Sequence, residues 1–417
     1  MPDLPQRGKL RSQALPSVLW VIAFADALAT AMLVPSISSR ALELGADHTE
    51  LVAMFVAYSL AQAVGAPCLG LVSDLASQEA ATRTALFGTA AAAMTLTAAC
   101  GTRALVVLRG VLGLFHGAGS TLQVWVLHSW PPSTCAMQLG RLLAASGAGQ
   151  AAAASTHGLF TSATSRACAG AAICLLNALV GPALLEGAAT PTGAGGLPLR
   201  RGSPLQRAGS RRCQGQAAFK APLARAPALE GLMMLCAVAL LHALSIGAFQ
   251  AAEIAYVQNA YSASAADVQT VVRAGGAVSL AFLSFASQWA SDTFGDPGVV
   301  CVGLAACCAT YVGLAAEVPW QLAEVLLVFG ASGGQAVACG VSSAVGASVA
   351  PGLRGVSVGL LHSAGAFGML LGPFVAQLSY ALDHRMPFAL AFAASALALR
   401  LACWVDAGGR RRGVHDA

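Results

Sequence analysis

Two ionisable residues fall inside stretches apolar enough to cross a lipid bilayer, and they are the first candidates for chemistry. Asp26 lies in the run 17–38, and Arg109 lies in ALVVLRGVLGLFHGAGS. An arginine within a membrane helix costs at least ~2.5–3.5 kcal/mol on insertion scales, so it must face the bundle interior beside an anion or carbonyls, or snorkel from near a helix end. A second set of residues recurs. Residues 58–83 read as a helix that closes on Gly70, Ser73 and Asp74, and residues 275–296 read as another that closes on Ser291, Asp292 and Gly295. Matching helix-end carboxylates in the two halves of a chain imply a duplicated bundle whose halves meet around a central path.

Other polar side chains inside apolar runs fall into two classes. Gln62, Gln123, Gln150, Gln250 and Gln335 lie on different predicted helices, where they either line a polar cavity or hydrogen-bond between helices. His116, His157, His242 and His362 titrate near neutrality when unperturbed, although a single buried histidine is more often a hydrogen-bonded interior residue. Glu253 and Arg273 are placed to form an ion pair or to border a substrate path, whereas Glu324 begins a span near the surface. There is no HExxH, no GxSxG and no Gly-Lys-Ser/Thr phosphate loop, so an enzyme is not supported, and uphill transport would have to draw on an ion gradient. No cofactor or metal is implied.

The elements that must position these residues follow from composition. Charged residues make up 10% of the 417 and hydrophobic residues 57%, with a mean hydropathy of +0.69, too little charge to cover a soluble surface. The pattern predicts an all-α transmembrane protein with spans near 17–38, 50–72, 84–100, 104–128, 142–160 and 166–185, then 229–256, 268–290, 299–315, 321–345, 356–378 and 387–404. The twelve cysteines sit mostly within apolar runs without CxxC spacing and read as packing residues.

Between the two blocks the composition turns to Gly, Pro, Ser and Arg, with Arg200, Arg201, Arg207, Arg211, Arg212, Lys220 and Arg225 and no acid after Glu186. A basic loop of this kind reads as cytoplasmic, and Arg7, Lys9 and Arg11 at one terminus and Arg410 to Arg412 at the other agree with it. Without interleaved aromatics or a folded neighbour the loop does not read as a nucleic-acid arm. The expected organisation is a tail over 1–16, a six-helix half over 17–186, a basic linker over 187–227, a second six-helix half over 228–404 and a tail over 405–417.

Gly70 and Asp74, with Tyr58, Gln62 and Pro67 upstream, resemble the loop motif between the second and third spans of the major facilitator superfamily. The family's Gly-Arg after the Asp is Ser77 and Gln78 here, and in the second copy Gln288 and Asp296 replace the leading Gly and the cation. Arg109 with Gly113 and Gly117 resembles the fourth-span motif of proton-coupled members, in which the Arg tunes the proton affinity of a carboxylate; because spans 1 and 4 both line the path in that fold, the resemblance pairs Arg109 with Asp26. Where that motif closes on an acid, this chain has His128. The Gly-Pro of the antiporter fifth span is replaced by Ala153 and Ala154, whereas Gly372 and Pro373 are kept in the eleventh. LFHGAGSTLQVW, GRLLAASGAG and the Arg354-Gly355 pair are similar to the tetracycline-efflux-like branch and the related domain-containing protein 9 group.

The resemblance implies a twelve-helix bundle of two six-helix halves that moves a small organic solute by alternating access. It makes Asp26 and Arg109 a proton-coupling pair, and Gly70, Asp74, Asp292, Gly295 and Arg354 gate residues. Gln62, His116, Gln123, Gln250, Glu253, Arg273 and Gln335 then border the substrate path. A monomer embedded in the bilayer, with a small-molecule substrate, protons as the coupling ion and no nucleic acid, is the expected assembly. The degraded loop motifs and the lost Gly-Pro pair keep a second reading open, a transport-inactive receptor or scaffold of the same fold.

Overall fold

The computed structural model describes residues 4–156, 159–160, 162–189 and 226–415. Most of the basic linker, Cys213 and His157 lie outside the described residues. The first block comprises α1 (Leu4–Glu43), α2 (His48–Leu75), α3 (Gln78–Ala98), α4 (Thr102–Phe115), α5 (Ala118–Ser129), α6 (Pro132–Ser155) and α7 (Ala163–Ala189). The second comprises α8 (Ala226–Tyr261), α9 (Ala265–Ala281), a π turn (Phe282–Ala286), α10 (Ser287–Ala315), α11 (Trp320–Ser348), α12 (Arg354–Tyr380) and α13 (Met386–His415).

Among the described residues, nine helical stretches are long and apolar enough to cross a membrane. One of them, Arg273–Ala315, contains Gly295 at φ 71°, a left-handed conformation that only glycine adopts without strain, and there the chain reverses to make two crossings. Helices α3 and α6, diluted in hydropathy by Ala, Gly, Ser and Thr, complete a bundle of twelve crossings. Val107 is 66% exposed and Phe285 83% exposed, apolar surface that is stable against lipid rather than water.

The helix ends carry the expected chemistry. Asp47 and Glu50 form a reciprocal capping box at the start of α2, and Ser264 with Asp267 does the same for α9. Three boundaries depart from expectation. The fifth crossing begins at Pro132, ten residues before the expected 142, because a proline fits the first helical position, where its missing N–H costs nothing. Helix α1 begins at Leu4 and α13 extends to His415, so both expected tails include helix: extending an existing helix needs no new nucleus. The fourth crossing is broken at His116 and Gly117, and Thr89 Oγ1 donates to the freed Phe115 carbonyl at 3.1 Å, so the break leaves no orphan there.

The two blocks repeat one packing scheme. Helix α1 packs on α6 and α7, α2 on α4, and α3 on α7; correspondingly α8 packs on α12 and α13, α9 on α11, and α10 on α13. The halves then meet through α2 against α12 and through α6 against the π turn, α10 and α11.

Candidate functional site

The contacts between halves concentrate at the end of the bundle that carries Asp74. A Cβ on Gly70 or Gly355 would overlap the other helix's backbone, and one on Gly359 would overlap Ala66 and Pro67, so α2 and α12 touch main chain to main chain. Ser363 Oγ donates to the Ala63 carbonyl one turn further along. Beyond that point α12 turns to α8, where Gly368 abuts Leu240 and Gly372 abuts Gly247. The second contact line behaves alike: Gly140 abuts Leu283 and Ser287, while Gly149, further along α6, abuts Phe24 and Leu28 of α1 within its own half. The two halves are therefore in main-chain contact at the Asp74 end, and further along α6 Gly147 still meets Leu280 of the second half before Gly149 turns to α1.

Asp74 seals the first line. Its Oδ1 accepts from the Gly355 N–H at 2.9 Å and its Oδ2 from the Val356 N–H at 2.8 Å, placing a carboxylate on the N-terminus of α12. Arg354 does not reach Asp74; its Nη1 donates to the Leu127 carbonyl at 2.6 Å, holding the C-terminal end of α5. Ser77, at the place of the family's glycine, caps α3 by accepting from Ala80 N–H at 3.0 Å.

The second copy is built differently from expectation. Asp292 accepts only from Gln288 on its own helix, at 2.7 Å. The carboxylate that joins helices here is Asp296, which accepts from Ser291 and, at 2.6 Å, from Ser343 of α11. Gln288 replaces the Asp of the first copy in function, accepting from the Met137 N–H of α6 at 3.1 Å. A carboxylate directly after the positive-φ Gly295 was the available clue.

Further along these helices from Asp74 lies a polar cluster. Gln123 Oε1 accepts from Ser342 Oγ at 3.2 Å and lies 3.1 Å from His362 Nε2, so this oxygen ties α5 to both α11 and α12. Since Oε1 only accepts, the hydrogen bond requires His362 to carry its proton on Nε2. Gln62 Nε2 lies 3.5 Å from the His116 carbonyl. Arg109 is buried with its guanidinium 4.3 Å from the centroid of Tyr58, whose ring lies 5.7 Å from that of His116.

The expected direct pairing of Asp26 with Arg109 is not formed. Arg109 Nη1 and His116 Nδ1 are buried without a hydrogen-bond partner, and Tyr58 lies within electrostatic reach of both Arg109 and Asp26. The aromatic face holds the cation where a carboxylate was expected. Glu253 is half-buried in α8 and Arg273 exposed on α9. Gln250 and Gln335 are exposed. His242 lies 3.3 Å from the Gly334 carbonyl and serves packing between α8 and α11. Sequence reasoning passed over Tyr58 as a partner for Arg109 and over Ser342 and Ser343, polar residues within an apolar run, and it read Asp296 only as the replacement of a cation. No group of three His, Cys, Asp or Glu able to hold a metal occurs among the described residues, and their cysteines are all free.

Three solved structures share this architecture. The human organic anion transporter MFSD10 (TETRAN) superposes with a TM-score of 0.78 at 15% identity, covering 94% of this chain and 99% of that one. A bacterial homologue of the iron transporter ferroportin in the outward-facing state gives 0.75 at 12% identity, with the same coverage. The transporter FucP in the outward conformation gives 0.69 at 15% identity, covering 94% of this chain and 98% of that one. At these identities the likeness is one of fold, and no curated protein matches the sequence. The sequence over residues 19–373 matches the family model of the Major Facilitator Superfamily. The chain belongs to the major facilitator superfamily and, with nine apolar helical stretches among its described residues, is an integral, multi-pass membrane protein.

Proposed function

We propose that this protein is a secondary transporter that moves a small organic solute by alternating access, and that the structure corresponds to the state open away from the linker. The observation that carries this reading is the pair of tight inter-half contacts near Asp74, Gly70 against Gly355 and Gly140 against Leu283 and Ser287, with the Asp74 carboxylate on the N-terminus of α12. Alternating access requires such a pair of lines, one of which must break as the other forms. The excess of arginine in the linker and at both termini supports a cytoplasmic closed end, with six-helix halves over 17–186 and 228–404. Gly372, Pro373 and the Arg354-Gly355 pair support a place near the tetracycline-efflux-like branch.

Coupling is assigned to Asp26 as the proton carrier, with Arg109 moving between the Tyr58 face and the carboxylate within the first half during the transport cycle. A carboxylate's proton affinity depends on burial and on the distance to a cation, so this motion would load and unload Asp26. The test is flux in proteoliposomes under an imposed pH gradient. Asp26→Asn should abolish uphill accumulation and retain solute exchange. Transport by the wild-type protein that ignores the gradient would remove the proton role, and solute-dependent closure without any flux would favour a receptor.

A further inference from the structure

Arg109 is 4% exposed, and its Nη1 has no hydrogen-bond partner. A cation in the low-dielectric interior is stable only with compensation, and the Tyr58 face supplies part of it. Two further features of the same cluster favour negative charge. His116, whose ring lies 5.7 Å from that of Tyr58, has an unpartnered buried Nδ1. Directly after it the fourth crossing breaks, and the twelve-residue α5 starts at Ala118 with no side-chain cap on its first N–H groups. The break thus places the positive end of a helix inside the bundle, on the same crossing as a buried guanidinium whose Nη1 has no hydrogen-bond partner.

We propose that Arg109 and His116, both beside Tyr58, bind the carboxylate of the transported solute, so that the substrate is an organic monocarboxylic acid. This assignment rests on the transporter reading above. A single anionic group fits the charge balance: the cluster offers one guanidinium, and Asp26, near enough to Tyr58 to act on it electrostatically, would repel a second negative charge. The aromatic faces of Tyr58 and His116 suit an apolar body behind the acid group. Tyr58 and Gln62 lie one turn apart on α2, and Gln62 lies 3.5 Å from the His116 carbonyl, so α2 and the end of α4 hold the cluster together.

Binding is tested on the full-length protein purified in detergent, by thermal unfolding and equilibrium binding with acetate, butyrate, octanoate and benzoate, and with benzamide and inorganic phosphate as comparators. At least one monocarboxylate should raise Tm, while benzamide and phosphate should not. Arg109→Lys should weaken carboxylate affinity about 10- to 100-fold, the size of a lost charge-assisted bond. Arg109→Met should abolish the response and leave Tm without ligand at or above that of the wild type, because it removes an unpaired buried charge. No carboxylate response in the wild type, an equal response to benzamide, or a response that survives Arg109→Met would overturn the site. Carboxylate binding without flux would instead sink the transporter reading and leave the site standing, whereas flux of a neutral solute without carboxylate binding would do the reverse.

Discussion

Asp74→Asn is the sharpest perturbation of the closed seam. Asp74 accepts two backbone N–H bonds, from Gly355 and Val356, at the first turn of α12. An asparagine retains one acceptor oxygen, turns an NH2 group toward the second N–H and loses the interaction of its charge with the helix terminus. A hydrogen bond to a charged group contributes about 1.5–3 kcal/mol and an anion at a helix N-terminus about 0.3–1 kcal/mol. Because Asp74 is half-buried and partly screened, the lower end applies, and the closed seam should lose about 2 kcal/mol. That shifts the closed-to-open balance at this end about 30-fold. Cys339 is a natural reporter: it is 3% exposed and its Sγ reaches the Ala136 carbonyl across the halves at 3.5 Å. With Cys339 kept as the sole thiol, its alkylation rate should rise about 30-fold in Asp74→Asn. An unchanged rate would show that the carboxylate does not hold the seam.

Gly355→Ala tests the same line sterically: its Cβ would meet the Gly70 carbonyl and the Asp74 carboxylate, and overpacking of about 1–3 kcal/mol should likewise speed Cys339 labelling. Gly295→Ala forces a side chain into φ 71° and should cost about 1–2 kcal/mol, read as a lower Tm without a change in carboxylate response. At the open end, the hydrogen bond from His384 and then Arg385 hold the Glu317 carboxylate below its usual range. A depressed carboxylate stabilises the fold above its unfolded value and loses that contribution as pH falls through the folded value, so Glu317→Gln should flatten the acid side of a Tm-against-pH curve. If the curve is superimposable on the wild type, this surface cluster adds nothing to the fold. Cys213, as a sole thiol, should react with an impermeant reagent only from the cytoplasmic side; labelling from outside would invert the topology.

The sequence by itself determined the class of fold, because membrane crossings are local properties: length and hydropathy mark them without reference to neighbours. The duplicated Gly70–Asp74 and Gln288–Asp292 spacing likewise marked the repeat and one contact between the halves, since Asp74 at a helix end has few possible partners in a two-fold bundle. What the sequence left undecided was which side chain faces which. Most of these spans are apolar on all sides, and such a helix has no polar stripe to set its rotation about its own axis. Only packing decided that Arg354 holds Leu127 rather than Asp74, that Asp296 rather than Asp292 ties α10 to α11, and that Arg109 lies over Tyr58 instead of on Asp26.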